Sequence, residues 1–304
     1  MAISRHQLVK ELEPGLNALF GLEYKRYDNQ HAEIYTSESS DRAFEEEVML
    51  SGFGNASVKS EGSGVAFDNA QESYSARYTH ETVALAFAIT EEAIEDNLYD
   101  RISSRYTKAL ARSMSNTKQV KAAAPLNNGL PSVDGFDSGD GVSLFNTAHT
   151  TVSGTSVKNT LSTQADLNET SLEQAMIDIS GMTDERGLRI AAKAVKMIVP
   201  SANQFQAERL MKSQGRVGTA DNDINALGSM GMIPQGYRVN NYLTDTDSFY
   251  IITDVPNGMK MFTRAPLTTA MEGDFDTGNV RYKARERYSF GVSDFRGIFG
   301  VEGA

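Results

Sequence analysis

The chain has 304 residues, 40% hydrophobic and 23% charged, the make-up of a folded chain long enough for one large domain or two smaller ones rather than a disordered one. Lys and Arg number 29 against 40 Asp and Glu, a formal net charge of −11, which argues against a broadly basic nucleic-acid surface and leaves room only for a local basic stripe. There are no cysteines, so disulfides, thiolate zinc sites, iron–sulfur clusters and cysteine nucleophiles are excluded.

The N-terminal segment predicts a short helix. Ser4 and Gln7 stand at capping-box spacing, and Leu8, Val9 and Leu12 form a small apolar face. Pro14 breaks it and starts a second turn with Leu16, Leu19 and Phe20, ended by Gly21. A polar, irregular stretch follows to Asp41. An arm of this composition must lie on something else to be ordered.

Over residues 43–90 the pattern predicts a long two-stranded hairpin with a Gly- and Ser-rich tip around Ser51–Gly64. Its second strand alternates, Val83, Leu85, Phe87 and Ile89 on one face and Ala84, Ala86 and Ala88 on the other. Such a hairpin is marginal alone in water, and its alanine face suits contact with another surface.

Residues 91–124 predict a long helix, roughly 50 Å at ~1.5 Å per residue. Thr90 is the N-cap; Glu91, Glu92, Glu95 and Asp96 precede Arg101, Arg105, Lys108, Arg112, Lys118 and Lys121, in keeping with the helix dipole. Ile94, Leu98, Ile102, Tyr106, Ala109 and Leu110 form its apolar stripe, and Pro125 and Gly129 end it. Residues 126–165 read as loop.

Residues 166–215 predict a helix–strand–helix unit. Thr170 and Glu173 form a capping box ahead of Leu172, Ala175, Met176 and Ile179; Asp184–Gly187 is a turn; residues 194–200 are a buried strand ended by Pro200; Ser201 and Gln204 cap a helix to about Ser213. Strands are expected at Tyr237–Leu243, Phe249–Thr253 and Met259–Arg264, with a turn at Pro256-Asn257-Gly258. Residues 279–293 alternate at length, Val280, Tyr282, Ala284, Tyr288, Phe290 and Val292 facing one way and Arg281, Lys283, Arg285 and Arg287 the other.

Little of this points to catalysis. Gly52, Gly54, Gly62 and Gly64 match neither phosphate-binding glycine pattern. Asp221–Asn225 is similar to a calcium loop, but Ala226 and Met232 stand where glycine and glutamate are required, so it reads as a turn. His6, His31, His80 and His149 form no metal-binding helical pair, and His80 and His149 read as surface or interface residues with no nucleophile elbow nearby. The pairs Asp245/Asp247 and Asp274/Asp276 read as solvated turns. No catalytic, cofactor or metal site emerges, and no apolar run is long enough for a membrane span. The stripe Arg281, Lys283, Arg285, Arg287 is either a solvated sheet face or a contact between subunits; for the latter, Glu45, Glu46 and Glu47 of a neighbouring copy are the candidate acidic partner.

The strings FEEEVMLSGFG, ARYTHETVALAFAITEEAIEDNLYD, SRYTKALARSMSNTK, DGVSLFNTAHT, DERGLRIAAKAVKMIVP and NVRYKARERYSFGVSDFRGIFG resemble blocks of tailed-bacteriophage major capsid proteins, and the order of features is similar to the Mu-like major head subunits. The resemblance implies an α+β, Hong Kong 97-like capsid fold: N-terminal arm 1–42, extended β-hairpin loop 43–90, peripheral domain 91–160 and 251–304 (spine helix 91–124, long strand 279–293), and axial α/β domain 161–250. It implies a non-enzymatic subunit that self-assembles into hexamers and pentamers of an icosahedral shell around packaged double-stranded DNA. It further implies portal and scaffolding proteins as partners, a decoration protein as an optional one, no cofactor and no membrane. It implies the virion as the place, with assembly in the host bacterial cytoplasm. Some relatives cross-link a loop lysine to a peripheral asparagine; Lys59 stands in the right region, while no motif selects Asn279 as its partner. With no long acidic helix ahead of the arm, scaffolding is expected from a separate protein. Two other readings stand beside this one: a cellular nanocompartment shell of the same fold enclosing enzymes, and a soluble oligomeric binding module or enzyme, which would need a pocket of convergent polar groups.

Overall fold

A computed structural model describes residues 5–90, 92, 99–133, 135–215, 224–274 and 278–304, with side chains described from residue 13 onward and not for 99–102. In chain order the elements are α1 (Arg5–Arg26), β1 (Thr36–Ser39), β2 (Phe44–Leu50), β3 (Glu72–Thr79), β4 (Glu81–Ile89), α2 (Tyr99–Asn128), β5 (His149–Thr150), β6 (Ser156–Val157), α3 (Glu169–Ser180), β7 (Ala194–Val199), α4 (Gln204–Lys212), α5 (Ala226–Met230), β8 (Tyr237–Val239), β9 (Phe249–Thr253), β10 (Met259–Gly273), β11 (Val280–Val292) and β12 (Ile298–Val301).

The period-two pattern of β11 builds the larger sheet, ordered β1-β10-β11-β4. Val280, Tyr282, Ala284 and Tyr288 are buried; Arg281, Lys283 and Arg285 are exposed. α1 and α2 cover the inward face, where Leu16 and Phe20 meet Leu110, Ala111 and Met114 over Tyr282 and Ala284. Burial of each of the larger ones, Leu16, Phe20, Leu110 and Met114, contributes about 1.5–3 kcal/mol. The second sheet, β12-β9-β7-β8, is made of short apolar strands with few exposed positions, as expected where a sheet is covered on both faces. α3 contributes Leu172, Ala175, Met176 and Ile179 to the core around that sheet, and α4 contributes Ala207 and Leu210.

Several expectations are corrected. β4 does not pair in the hairpin: the ribbon is β2 with β3, from Phe44↔Thr79 to Leu50↔Glu72, while β4 joins β11 from Ile89↔Val280 to Glu81↔Tyr288. Val83, Phe87 and Ile89 of β4 gain burial that an isolated ribbon cannot offer, while Leu85 stays exposed; Phe87 lies 5.6 Å from the Tyr282 ring. The extended loop expected over 43–90 therefore stops, as a paired ribbon, at Thr79. α1 runs unbroken through Pro14 to Arg26, its Leu16 and Phe20 packing offsetting the proline's cost of about 3 kcal/mol. The expected irregular stretch to Asp41 instead holds the end of α1, a 3-10 turn at Gln30–Glu33 and β1, which pairs in parallel with β10.

α2 continues through Pro125 to Asn128, although the proline ring removes the bond to the carbonyl one turn earlier. It stops at Gly129, where a Cβ would stand 2.6 Å from the Pro125 carbonyl oxygen and 2.7 Å from Leu144 Cβ. The helix start, with Ile94 and Leu98, lies outside the described residues, as do the side chain of Ile102, the Ser4–Gln7 capping pair, Asp221–Asp223 and Asp276. α3 is capped by Asn168 with Ser171 rather than by Thr170 with Glu173. α4 follows a 3-10 turn at Ser201–Asn203 without a side-chain cap. β8 ends at Val239, and β10 continues nine residues past Arg264. Pro266 lies in the register shift between Ala265 and Thr268, the place a sheet tolerates proline.

Candidate subunit-contact surfaces

Two surfaces stand out, the β2–β3 ribbon and the outward face of the long sheet. The ribbon is held by one side and bare on the other. On the held side, the 7%-exposed Lys260 ammonium stands 2.5 Å from Glu47 Oε1 and 3.1 Å from Glu38 Oε1. Burial lowers this lysine's pKa, but the bonds to Glu47 and Glu38 outweigh it and hold the group above its ordinary value. Ser293 Oγ donates to Glu47 Oε2, so the Tyr78 hydroxyl donates to Ser293 Oγ. Tyr74 Oη donates to the Ser293 carbonyl at 3.3 Å.

A second anchor is a buried ion cluster. Arg296 Nη2 donates to Glu185 Oε1 at 2.7 Å and Nη1 to Asp294 Oδ1 at 3.1 Å; the other Glu185 oxygen accepts from Ser73 Oγ and the Val152 amide, each at 3.1 Å. Burial raises the Asp294 carboxyl's pKa despite the facing guanidinium. Farther out, Arg186 donates to Asp68 at 2.8 Å, and the same carboxylate accepts the Gly54 amide at 2.7 Å, closing the neck of the loop.

The other side of the ribbon is open. Phe44, Val48 and Leu50 are exposed, the Arg77 guanidinium lies 4.1 Å over the Phe44 ring, and in the loop Val58 and Phe67 are 98% exposed.

On the outward sheet face the predicted basic stripe is present and flanked by small residues. Arg281, Lys283 and Arg285 pair with Ala88, Ala86 and Ala84 of β4, and Lys283 and Arg285 with Ala270 and Thr268 of β10. Arg281 is ion-paired with Asp274. Arg287 is half-buried opposite Thr82. The alanines of β4 are exposed beside this stripe, giving a flat surface.

The acidic candidates separate. Glu47 is bound to Lys260; Glu45 accepts from Ser40 Oγ at 2.7 Å; Glu46 is exposed, 3.7 Å from Arg77 Nε. Lys59 is exposed in the loop, and Asn279 precedes β11 with its carbonyl accepting the Asp274 amide at 2.8 Å. Sequence reasoning missed Lys260, Ser293, Glu185 and Arg296. A lysine inside the apolar run MKMF was a readable signal for Lys260; no pattern linked the others. It also missed Glu286, inward on β11 and 3.2 Å from Lys118 Nζ; burial raises its pKa against the pull of Lys118.

Both singled-out histidines are buried, not on the surface. His80 lies at the β3–β4 junction, its ring nitrogens each 2.9 Å from Ser289 and Ser40 hydroxyls. His149 is fully buried, with Nδ1 2.7 Å from Asp140 Oδ2, Nε2 3.1 Å from Asn159 Oδ1 and Phe295 stacked at 3.8 Å. Ser138 Oγ bonds Asp140, so the order is Ser–Asp–His and the imidazole does not face the serine as a triad requires. Among the described residues no cluster of three or more His, Asp or Glu could hold a metal, and no helix is long and apolar enough to cross a membrane.

The sequence profile of the phage capsid protein family matches residues 73–301. No curated protein sequence matches the chain. Among solved structures, the capsid of Myoviridae phage XM1 superposes with a TM-score of 0.55 at 13% identity, covering 89% of each chain. The virus-like particle from Pyrococcus furiosus gives 0.54 at 9% identity, covering 95% of this chain and 98% of that one. The capsid of an empty GTA particle gives 0.51 at 17% identity, covering 90% and 89%. The fold is thus the Hong Kong 97-like capsid fold, and the family match does not single out the Mu-like group.

Proposed function

The chain belongs to the phage capsid protein family, and on that premise we propose that its copies close, as hexamers and pentamers, into an icosahedral head around double-stranded DNA. It is a structural protein of the virion. The observation that carries the shell reading is the ribbon. Its inner side is tied to the body by buried ions, while Phe44, Val48, Leu50, Val58 and Phe67 are left in water. Apolar groups held outward in a fixed direction stabilise nothing until a neighbour covers them.

In this reading α1 and the segment to β1 form the arm. β2, β3 and the loop between them form the extended loop. The long sheet with α2 forms the peripheral domain, and the second sheet with α3–α5 the axial domain. Arg281, Lys283, Arg285 and Arg287 meet the neighbour's ribbon, with Glu46 as the acid across the boundary; Glu45 and Glu47 act by holding the ribbon, and Lys59 lies at the loop contact. Portal and scaffolding proteins and a decoration protein are partners of the assembled head, built in the host bacterial cytoplasm, and the chain carries no catalysis. Electron microscopy of the purified chain tests this, with closed shells expected.

A second reading is favoured by the match to the Pyrococcus furiosus virus-like particle: a compartment shell around protein cargo. Nuclease-protected DNA in purified particles supports the head; co-purifying protein without DNA supports the compartment.

A further inference from the structure

α1 and α2 form the layer on the inward side of the long sheet, and the outer surface of that layer is not chemically neutral. On α2, Arg105, Lys108 and Arg112 are exposed. At helical periodicity they fall within about 60° of one another and span roughly 10 Å of the axis, a single stripe. None of the three has an ion-pair or hydrogen-bond partner among the described residues. Lys108 and Arg112 border a groove of about 570 Å³ between the helices, whose walls also present Tyr27, Ser113 and Asn116, and Arg105 continues the stripe one turn beyond it. Among the described residues the acid there is Glu23, which accepts the Tyr27 hydroxyl at 3.2 Å and faces Arg26 at 3.5 Å.

This composition differs from that of the sheet's outward face, where the bases lie among alanines and Arg281 already has Asp274. Unpaired cations beside hydroxyl and amide groups, over a groove, fit a phosphate backbone; protein contacts need an apolar centre. We propose that the α1–α2 groove is the surface that touches packaged duplex DNA, with Arg105, Lys108 and Arg112 as phosphate contacts. The proposal rests on the head reading above. The chain's net charge of −11 repels DNA at longer range, so the contact is short-ranged, weak and lost with moderate salt. Such a lining touches DNA without retaining it.

The test is fluorescence anisotropy of a 30-base-pair duplex titrated with the full chain from 10 to 100 mM salt, with subunits kept unassembled as checked by light scattering. Each phosphate contact contributes about 0.9 to the slope of log affinity against log salt. The triple variant R105Q/K108Q/R112Q is expected to lower that slope by about 2.7 and the affinity at 20 mM salt at least tenfold. R281Q/K283Q/R285Q is expected to bind DNA like the unaltered chain. Three results overturn the proposal: no DNA binding by the unaltered chain at 10 mM salt, equal losses in the two triple variants, or competition by polyglutamate as effective as by DNA at equal charge, which assigns the groove to an acidic protein. Shell formation is followed separately by microscopy, so failure of the groove and failure of the shell reading are distinguishable.

Discussion

Arg296 Nη2 stands 2.7 Å from Glu185 Oε1 with both side chains 3% exposed, a pair that joins the turn after β11 to the loop after α3. Through Ser73 the same carboxylate reaches β3, so one buried ion cluster fixes the ribbon to the body. Removing one member leaves the other charged and buried. Glu185→Gln is expected to cost about 3–5 kcal/mol in urea unfolding. A loss below about 1 kcal/mol would show that the cluster is not an anchor.

His31 sets a pH dependence. Burial, and then the Lys118 charge, hold its imidazole at about 4, and the neutral ring is bonded to Gln119, with 3.0 Å between Nδ1 and Nε2. The unfolded ring takes its proton near 6.5, so between about 6.5 and 4 the unfolded state binds more protons and stability falls as pH falls. From pH 7 to 5 this contributes about 2 kcal/mol of loss. Burial of Glu286 has the opposite sign, because its raised carboxyl favours the folded state as acid is added. The His31→Asn variant, unfolded at both pH values, is expected to show the smaller loss; an unchanged difference would remove His31 from the account.

Gly258 and Gly297 pack backbone to backbone: a Cβ on Gly297 would stand 2.3 Å from the Gly258 Cα. Neither side is a flexible side chain that could move aside. Gly297→Ala is expected to destabilise by about 1–3 kcal/mol, read as a lowered Tm. An unchanged Tm would mean that the turns before β10 and β12 can separate.

Contact residues should behave differently from anchors. V48S/L50S on the open ribbon side and K283E/R285E on the sheet face are expected to leave subunit stability within about 0.5 kcal/mol and to stop shell formation. Deletion of residues 52–64 should likewise give a folded subunit that assembles poorly. Light scattering with microscopy reads all three; normal shells from any of them would take that surface out of the contact.

How much of this was legible follows from how local each signal is. The alternation of β11 was readable, its outward bases and inward aromatics landing as expected, because a strand facing a core on one side writes its period into its residues. Glu286 escaped because a carboxylate at an inward position breaks the polarity rule and is explained by distant partners, Lys118, 168 residues away, and Tyr24. The partner of β4 was illegible for the same reason: adjacency in sequence favours a hairpin, and only the assembled α2 and β11 show where Phe87 is buried. Pro266 hid the outer half of β10, since a bulge is a property of two strands together. The basic stripe was legible as a pattern, but not that Glu47 is already spent on Lys260, a contact across 213 residues.

Whether the subunit is complete only among its copies is tested most directly by sedimentation velocity of the unaltered chain over a rising concentration series, with microscopy of the fastest species. Growth from subunit to capsomer to one large, discrete closed particle is the expected result. A lone subunit persisting unchanged at the highest concentration, its exposed Phe44, Leu50 and Phe67 folded onto itself, would contradict it.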